Sequence, residues 1–336
     1  MSAKITTATS PTWMEALMRT THDVHQLPGW AVASAKADEG EPCAVVVTEG
    51  AATCLAPFLR RPITGELWDA VSPYGYSGPV WSPGLTSQAR AKLLQRAAAA
   101  VGDAGAVSWF VRLHPMLETV DPVEGGVVVD HGPTVAVDLA TPADLRWKSL
   151  RSGHRGDITR ARREGCAVEL DHDLSGIDEF ARLYHETMER IGSSDYYRFG
   201  VEYFEALRTE LGGRIVLACA RLDGELVGGA LFTVSDSSGL VGYHLSGSAP
   251  MSSNLQSAKL IIDRMQQWAA DEGFGALHLG GGLGAAEDSL FRFKRGFSSW
   301  THRFRTIRFV LDATRYAKLS TGLDPKSGFF PLYRAR

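Results

Sequence analysis

The sequence contains few cysteines: four in 336 residues, none in a CxxC pair and none with a histidine at metal-ligand spacing. Structural zinc sites and thioredoxin-like motifs depend on such pairs, so we expect free, buried thiols and no bound metal. Long apolar runs are missing too, because no stretch reaches the roughly 18 residues that a membrane-spanning helix needs. The first residues also lack the apolar run of a signal peptide. These absences favour a cytoplasmic protein without a membrane span.

Motifs for nucleotide cofactors are also missing. The sequence has no GxxxxGK[ST] phosphate loop, which argues against ATP-driven ligation. Gly280, Gly282 and Ala285 fit the spacing of a dinucleotide turn, but they follow antiparallel hairpins, and residues 300–311 hold no acidic side chain. The formal net charge of −3 confines any nucleic-acid contact to a local basic patch. We therefore expect no bound cofactor.

The two halves of the chain repeat one order of elements: a hairpin, a tyrosine-glycine segment, a helix and a strand. In the first half these are predicted at 43–61, 72–80, 86–100 and 107–113. In the second half they are predicted at 214–234, 239–248, 253–272 and 274–279. The recurrence predicts a mixed α/β fold of two tandem domains, residues 1–134 and 135–336, each a mixed sheet flanked by helices. Two unrelated α+β domains with the same element order are the alternative.

Residues 278–297, HLGGGLGAAEDSLFRFKRGF, are the most informative stretch. They predict the end of a strand, an open turn at Gly281 and Gly282, and a short helix that carries Phe293 and Lys294. A lysine between aromatic residues beside such a turn can hold a phosphate or stabilise a developing oxyanion. The alternative is a surface lysine whose stem covers apolar groups. Lys294 is therefore the first catalytic candidate.

Further polar residues are candidates for the same site. A predicted helical region, residues 144–164, carries Arg151 and Arg155, which suit phosphate contacts, although a solvated basic face is the alternative. Tyr243 and His244 lie in a predicted loop that matches the loop of Tyr76 in the first half. His244 is a candidate general base, whereas lone histidines in apolar strands are more often structural.

These stretches together resemble a known family. Residues 147–165 (WKSLRSGHRGDITRARREG), 243–248 (YHLSGS) and 279–297 (LGGGLGAAEDSLFRFKRGF) are similar to the FemABX-like branch of the GNAT acyltransferases. The resemblance implies two GNAT-like domains and peptide-bond formation, in which an aminoacyl group moves from an aminoacyl-tRNA to an amine. It also implies that Phe293 and Lys294 meet the aminoacyl end of the tRNA. The implied acceptor is a peptidoglycan precursor or an amine of a peptide-like natural product.

The sequence departs from fuller members of this branch in one respect and from acetyl-CoA users in another. No long coiled-coil insertion interrupts the second half, which limits contact with the tRNA mainly to its 3′ end. Acetyl-CoA users bind pyrophosphate with a glycine-bearing Q/RxxGxG/A loop, but residues 248–259 (SAPMSSNLQSAK) contain no glycine. Ser252, Ser253 and Asn254 still offer a helix cap.

We therefore expect an aminoacyl-tRNA-dependent N-acyltransferase in which an amine attacks the ester directly, without a covalent enzyme intermediate. The alternatives are an acyl-CoA-dependent N-acyltransferase and a non-catalytic GNAT-like binding module. A monomer is the default. The catalytic candidates are Lys294, Tyr243 and His244, and the substrate-binding candidates are Phe293, Gly281, Gly282, Arg151, Arg155 and Tyr76.

Overall fold

A computed structural model of the chain describes residues 2–117, 122–250 and 255–335. It divides into two compact units: unit 1, Met1–His131 with Phe304–Arg336, and unit 2, Gly132–Arg303. The chain passes from one unit to the other inside two strands, β7 (Gly126–Asp138) and β13 (Thr301–Val310). The sequence-based division at 134 and 135 assigned residues 304–336 to the second domain, whereas these residues pack with unit 1.

Unit 1 is a mixed sheet with helices. Its own strands are β1 (Ser2–Thr7), β2 (Glu41–Glu49), β3 (Ala52–Thr64), β4 (Leu67–Val71), β5 (Val80–Trp81) and β6 (Ala106–Arg112). Its helices are α1 (Pro11–Leu17), α2 (Pro28–Asp38), α3 (Ser87–Asp103) and α10 (Ala313–Leu319). Strands β1 to β4 pair antiparallel in order, β5 pairs with β3, β4 pairs parallel with β6, and β6 pairs antiparallel with β13. The side chain of Thr86 begins α3 by accepting a hydrogen bond from the Ala89 N–H.

Unit 2 is built in the same way. Its strands besides β7 and β13 are β8 (Ala167–Asp171), β9 (Ile215–Leu222), β10 (Glu225–Ser235), β11 (Leu240–Ser248) and β12 (Ala276–Gly280). Its helices are α4 (Ala143–Ser149), α5 (Ser152–Arg163), α6 (Ile177–Arg190), α7 (Val201–Leu211), α8 (Ser257–Asp271) and α9 (Ser289–Lys294). Strands β8 to β11 pair antiparallel in order, β11 pairs parallel with β12, and β12 pairs antiparallel with β7.

The predicted repeat is present in the pairing. In unit 1 a helix, α3, connects the parallel strands β4 and β6, and in unit 2 α8 connects the parallel strands β11 and β12. The β9–β10 hairpin turns at Asp223 and Gly224, which both have positive φ (51° and 86°), as an Asp-Gly two-residue turn requires. The mixed α/β architecture predicted from the sequence is confirmed.

Helices cover both faces of the unit 2 sheet, and two adjacent glycines of β10 permit their close approach. A Cβ on Gly228 would lie 2.4 Å from the Ser257 hydroxyl of α8, and one on Gly229 would lie 2.6 Å from the Phe180 ring of α6. Since consecutive residues of a strand point to opposite faces, α8 and α6 lie on opposite sides of β10. Among the described residues, no helix combines the length and the apolar character needed to cross a membrane.

Two local predictions differ from the structure, and a third falls outside the described residues. Residues 144–164 are not one helix, because Leu150 and Arg151 have extended backbone between α4 and α5. Tyr243 and His244 lie inside β11 and not in a loop. The cap predicted at Ser252, Ser253 and Asn254 lies outside the described residues.

Candidate active site of unit 2

The glycine turn predicted at the end of the strand is present after β12 and is tightly packed at Gly282. Gly280 has a φ of +76°, a conformation that favours glycine. A Cβ on Gly282 would lie 2.1 Å from the Ala286 carbonyl oxygen, so no other residue fits there without moving the backbone. The carbonyl of Gly281, between them, accepts a hydrogen bond from the Nζ of Lys294 at 2.7 Å. The turn therefore directly positions the side chain of Lys294.

Asp288 connects the turn to helix α9. One carboxylate oxygen accepts from the Phe291 N–H at 2.8 Å, which begins the helix, and the other accepts from the Leu283 N–H at 3.0 Å, which holds the turn. Burial acts to raise the pKa of Asp288, but backbone hydrogen bonds from Phe291, Leu283 and Leu290, together with the charge of Lys294, outweigh it and lower the pKa. Asp288 is therefore a carboxylate at neutral pH, and its charge acts on the Lys294 ammonium.

Lys294 is buried, with 7% of its surface exposed. Burial lowers the pKa of its ammonium group from the ordinary 10.5 to about 8, against the opposing effect of the Asp288 charge. The Nζ atom also lies 5.7 Å from the ring centroid of Tyr243. A preorganised cation in a desolvated place stabilises negative charge that develops within its reach, and a pKa near 8 permits proton transfer near neutral pH.

Tyr243 and His244 have different surroundings although they are adjacent in β11. The Tyr243 ring lies 5.4 Å from the Phe232 ring and faces Lys294, and burial raises the pKa of the phenol to about 12. It is therefore a neutral hydrogen-bonding group at physiological pH. The Nε2 atom of His244 lies 2.7 Å from the Tyr203 hydroxyl of α7. The structure thus brings Tyr243 to Lys294 and places His244 with α7.

The other predicted residues divide between the site and its surroundings. Phe293 packs partly against the core of unit 2, one residue before Lys294. The side chain of Arg151 is exposed, and its backbone N–H donates to the Gly296 carbonyl at 2.9 Å. Arg155 is half-buried, and its Nη1 donates to the Lys148 and Leu150 carbonyls, which closes the break between α4 and α5.

Tyr76 belongs to unit 1 and packs inside a histidine cluster there. Its ring lies edge-on to those of His25 and His114, at 5.7 and 5.8 Å between centroids. Its carbonyl accepts from the Gln26 side chain at 3.0 Å, which fixes the loop.

His154 is a site residue that the sequence analysis missed. This buried side chain of α5 places its Nε2 atom 2.9 Å from the Phe293 carbonyl oxygen. It shares the spacing of Ile158 and Ala161, which are also buried, so the helical period of the apolar positions was the available signal.

Three side chains of unit 1 lie close enough to share a metal ion: Asp23, His25 and His114, all buried. One Asp23 oxygen accepts from His25 Nδ1 at 2.8 Å and from His114 Nε2 at 3.1 Å. The Nδ1 atom of His114 accepts from the Met116 and Leu117 N–H groups, both at 3.2 Å, so its proton is on Nε2. That nitrogen then has no lone pair for a metal, and the cluster is a hydrogen-bonded network.

A family comparison matches the part of the chain that contains these residues. Residues 148–295 match the family model described as an acetyltransferase (GNAT) domain, and they contain Arg151, His154, Tyr243, the glycine turn and Lys294. A little under half of the chain therefore matches a GNAT acetyltransferase domain. No curated protein matches the sequence.

Solved structures show the same fold around the GNAT domain. FemX has a TM-score of 0.70 at 16% identity, over 95% of this chain and 99% of that one. The C-terminal domain of a protein assigned as a lysylphosphatidylglycerol synthetase from Agrobacterium fabrum has a TM-score of 0.57 at 16% identity, over 92% of each chain. A tandem GNAT protein from the clavulanic acid biosynthesis pathway has a TM-score of 0.50 at 9% identity, over 91% and 98%. The FemABX-like resemblance read from the sequence is confirmed by the GNAT domain and by this fold.

Proposed function

We propose that the protein transfers an aminoacyl group from an aminoacyl-tRNA to an amine and so forms an amide bond. The observation that carries the proposal is the buried Lys294 ammonium, which the Gly281 carbonyl holds at 2.7 Å beside Tyr243 in the GNAT domain. The likeness to FemX in fold and the sequence motif around Phe293 and Lys294 support a charged tRNA as the donor. The transfer site is assigned to unit 2.

The reaction needs no covalent enzyme intermediate. The nitrogen of the neutral acceptor amine attacks the ester carbonyl carbon, which forms the C–N bond and a tetrahedral oxyanion. The C–O bond to the tRNA ribose then breaks, and the proton lost by the amine ends on the ribose oxygen. Lys294 stabilises the oxyanion as an ammonium ion and is a route for that proton. Tyr243, as a neutral phenol, donates a hydrogen bond to the same region.

The residues around Lys294 suggest how the substrates bind. Phe293 is adjacent to Lys294 in sequence and suits contact with the aminoacyl end, and the exposed Arg151 suits a phosphate of the tRNA 3′ end. We propose an amine of a peptidoglycan precursor or of a peptide-like natural product as the acceptor. The reaction is assigned to the cytoplasm, where aminoacyl-tRNA is made, and the protein is expected to act as a monomer.

An acyl-CoA-dependent N-acyltransferase is the second candidate, because the matched family model is named for acetyl transfer. The absence of glycine from residues 248–259 disfavours it, since backbone amides of a glycine-bearing loop hold the CoA pyrophosphate.

One experiment separates these functions. The purified protein is incubated with aminoacyl-tRNAs or with acyl-CoAs, each in the presence of peptidoglycan-type peptides and small amines, and amide products are identified by mass spectrometry. We expect product with a charged tRNA, at least about 100-fold less product with Lys294→Met, and full activity with Lys148→Met, an exposed lysine of α4. Thiol release from acyl-CoA as the single productive reaction would contradict the proposal. Tight acceptor binding without turnover would indicate a binding module.

A further inference from the structure

Helix α9, which carries Lys294, is fixed at both of its ends. Asp288 holds its N-terminus through the Phe291 N–H. At its C-terminus the Phe293 carbonyl accepts from the Gly296 N–H at 3.0 Å and from His154 Nε2 at 2.9 Å. A helix of six residues contributes little stability of its own, so its position depends on these outside contacts.

The contact of His154 with the end of α9 is tight on several sides. Its ring lies edge-on to the Phe297 ring, at 4.7 Å between centroids, and 5.6 Å from the Phe293 ring. A Cβ on Gly296 would lie 2.2 Å from His154 Nε2, so the glycine leaves room for the imidazole. Next to this contact, the backbone N–H of Arg151 donates to the Gly296 carbonyl at 2.9 Å. Two independent hydrogen bonds therefore join the start of α5 to the end of α9.

His154 is in the protonation state that lets its Nε2 donate to the Phe293 carbonyl. Burial lowers the pKa of the imidazole, as do the charges of Lys259 and Arg151, while the hydrogen bond to the Phe293 carbonyl and the charge of Asp157 raise it. The ring is consequently neutral at pH 7. Because a carbonyl oxygen accepts and does not donate, the single proton is on Nε2.

We infer that His154 is a positioning residue for acyl transfer: it holds the peptide bond between Phe293 and Lys294, and thereby the Lys294 ammonium at the Gly281 carbonyl. The inference rests on the proposed function for its catalytic consequence. The Phe293 carbonyl belongs to the peptide plane that contains the Lys294 nitrogen and Cα, so the orientation of this plane affects the direction of the lysine side chain. Removing the His154 donor leaves the Gly296 N–H as the remaining hydrogen bond to this carbonyl. The peptide plane is then held less firmly, and the ammonium can move toward water.

The test measures the position of Lys294 without any substrate. Nuclear magnetic resonance of lysine labelled with carbon-13 at the ε position, assigned with Lys294→Arg, follows the titration of Lys294. We expect a pKa of about 8 in the wild type and a shift toward the ordinary 10.5 in His154→Leu. In His154→Gln the amide nitrogen occupies the place of Nε2, so the pKa should stay near 8. Gly296→Ala should behave as His154→Leu, and Gly153→Ala, whose Cβ meets nothing within 4 Å, should match the wild type.

Kinetics give the second readout. With the donor found above, His154→Leu should lower kcat by about tenfold or more with little change in KM, and His154→Gln should recover most of the loss. A folded His154→Leu that keeps both the Lys294 pKa and kcat overturns the inference. If His154→Leu does not fold, His154→Asn replaces it, because its shorter amide does not reach the Phe293 carbonyl. An unchanged Lys294 pKa in His154→Asn also overturns the inference. A shifted pKa beside an unchanged kcat supports the positioning role and contradicts the proposed role of Lys294 in transfer.

Discussion

The ammonium group of Lys294 destabilises the fold that holds it. Its pKa is about 8 in the folded protein and 10.5 ordinarily, so the unfolded chain binds the proton more strongly between these pH values. The stability of the wild type therefore rises as pH increases from about 8 to 10.5, and the full destabilisation is present below 8. A group that is retained at such a cost in stability is a candidate for function.

Replacing Lys294 by methionine should stabilise the protein at pH 7 by up to about 3.5 kcal/mol, because the pKa falls from 10.5 to about 8 and one pKa unit corresponds to about 1.4 kcal/mol. Urea denaturation at pH 7 and at pH 10 measures the effect, and the gain should shrink at the higher pH. Lys148→Met, at an exposed position, is the control. A Lys294→Met protein less stable than the wild type at pH 7 would show that the ammonium stabilises the site.

The hydrogen-bonded network of Asp23, His25 and His114 leads to a second prediction at the scale of residues. Burial acts to raise the pKa of Asp23, but hydrogen bonds from His114 and His25 outweigh it and hold the pKa well below its usual range. Since His114 Nε2 carries a proton, treatment with a chelator or one equivalent of zinc should leave the melting temperature unchanged. Asp23→Asn should lower it. A rise of several degrees with zinc, lost in His114→Gln, would instead establish a metal site.

At the scale of elements, the sequence predicted the strand, turn and helix around Lys294 better than the segments that pack against them. The strand, the glycine turn and the short helix were readable because their signals are local: φ above zero at glycine, and an acidic residue before a helix. The break between α4 and α5 was not readable, because it depends on the Arg155 guanidinium reaching two carbonyls. The position of Tyr243 was missed for a related reason, since strand pairing with β10 and β12 decides it.

Replacing Arg155 should affect stability, whereas replacing Arg151 should affect binding of the aminoacyl-tRNA. Arg155→Ala removes two hydrogen bonds to carbonyls and should lower the free energy of unfolding by about 1–2 kcal/mol. Arg151→Ala should leave stability unchanged, raise KM for the aminoacyl-tRNA and reduce the salt dependence of its binding by about one unit of slope. Denaturation and kinetics at several salt concentrations measure both, with the exposed Arg163→Ala as the control. Equal effects of Arg151→Ala and Arg163→Ala on KM would contradict the assignment of Arg151.

For the whole molecule, the repeated order of elements predicted that each half contributes a mixed set of strands flanked by helices, because hairpins, turns and amphipathic helices have periodic signals. The return of the chain to unit 1 after residue 303 had no such signal. It depends on β13 pairing with β6 and on a buried carboxylate, Asp69, that accepts from Arg334 Nε at 2.6 Å and from the Tyr333 hydroxyl at 3.1 Å. These contacts join residues more than 260 positions apart, which no local pattern reveals.

The hydrogen bonds that Tyr333 and Arg334 donate to Asp69 should contribute substantially to the stability of unit 1. Arg334→Met leaves the fully buried Asp69 carboxylate with less compensation and should cost about 2–4 kcal/mol of unfolding free energy. Arg315→Met breaks an exposed pair with Asp312 and should cost less than about 1 kcal/mol. Thermal and urea denaturation compare the two. If both variants lose a similar free energy of unfolding, the contact between Arg334 and Asp69 stabilises the protein no more than an exposed ion pair does.

The pH dependence of the single-turnover rate tests most directly the claim that the Lys294 ammonium promotes aminoacyl transfer. The rate is measured with a saturating labelled aminoacyl-tRNA and one acceptor in the wild type and in Lys294→Met, and the ratio of the two rates cancels the titration of the acceptor amine. The ratio should be large and constant below pH 8 and should fall above it, as the ammonium with a pKa of about 8 loses its proton. A ratio near one at every pH would contradict the claim.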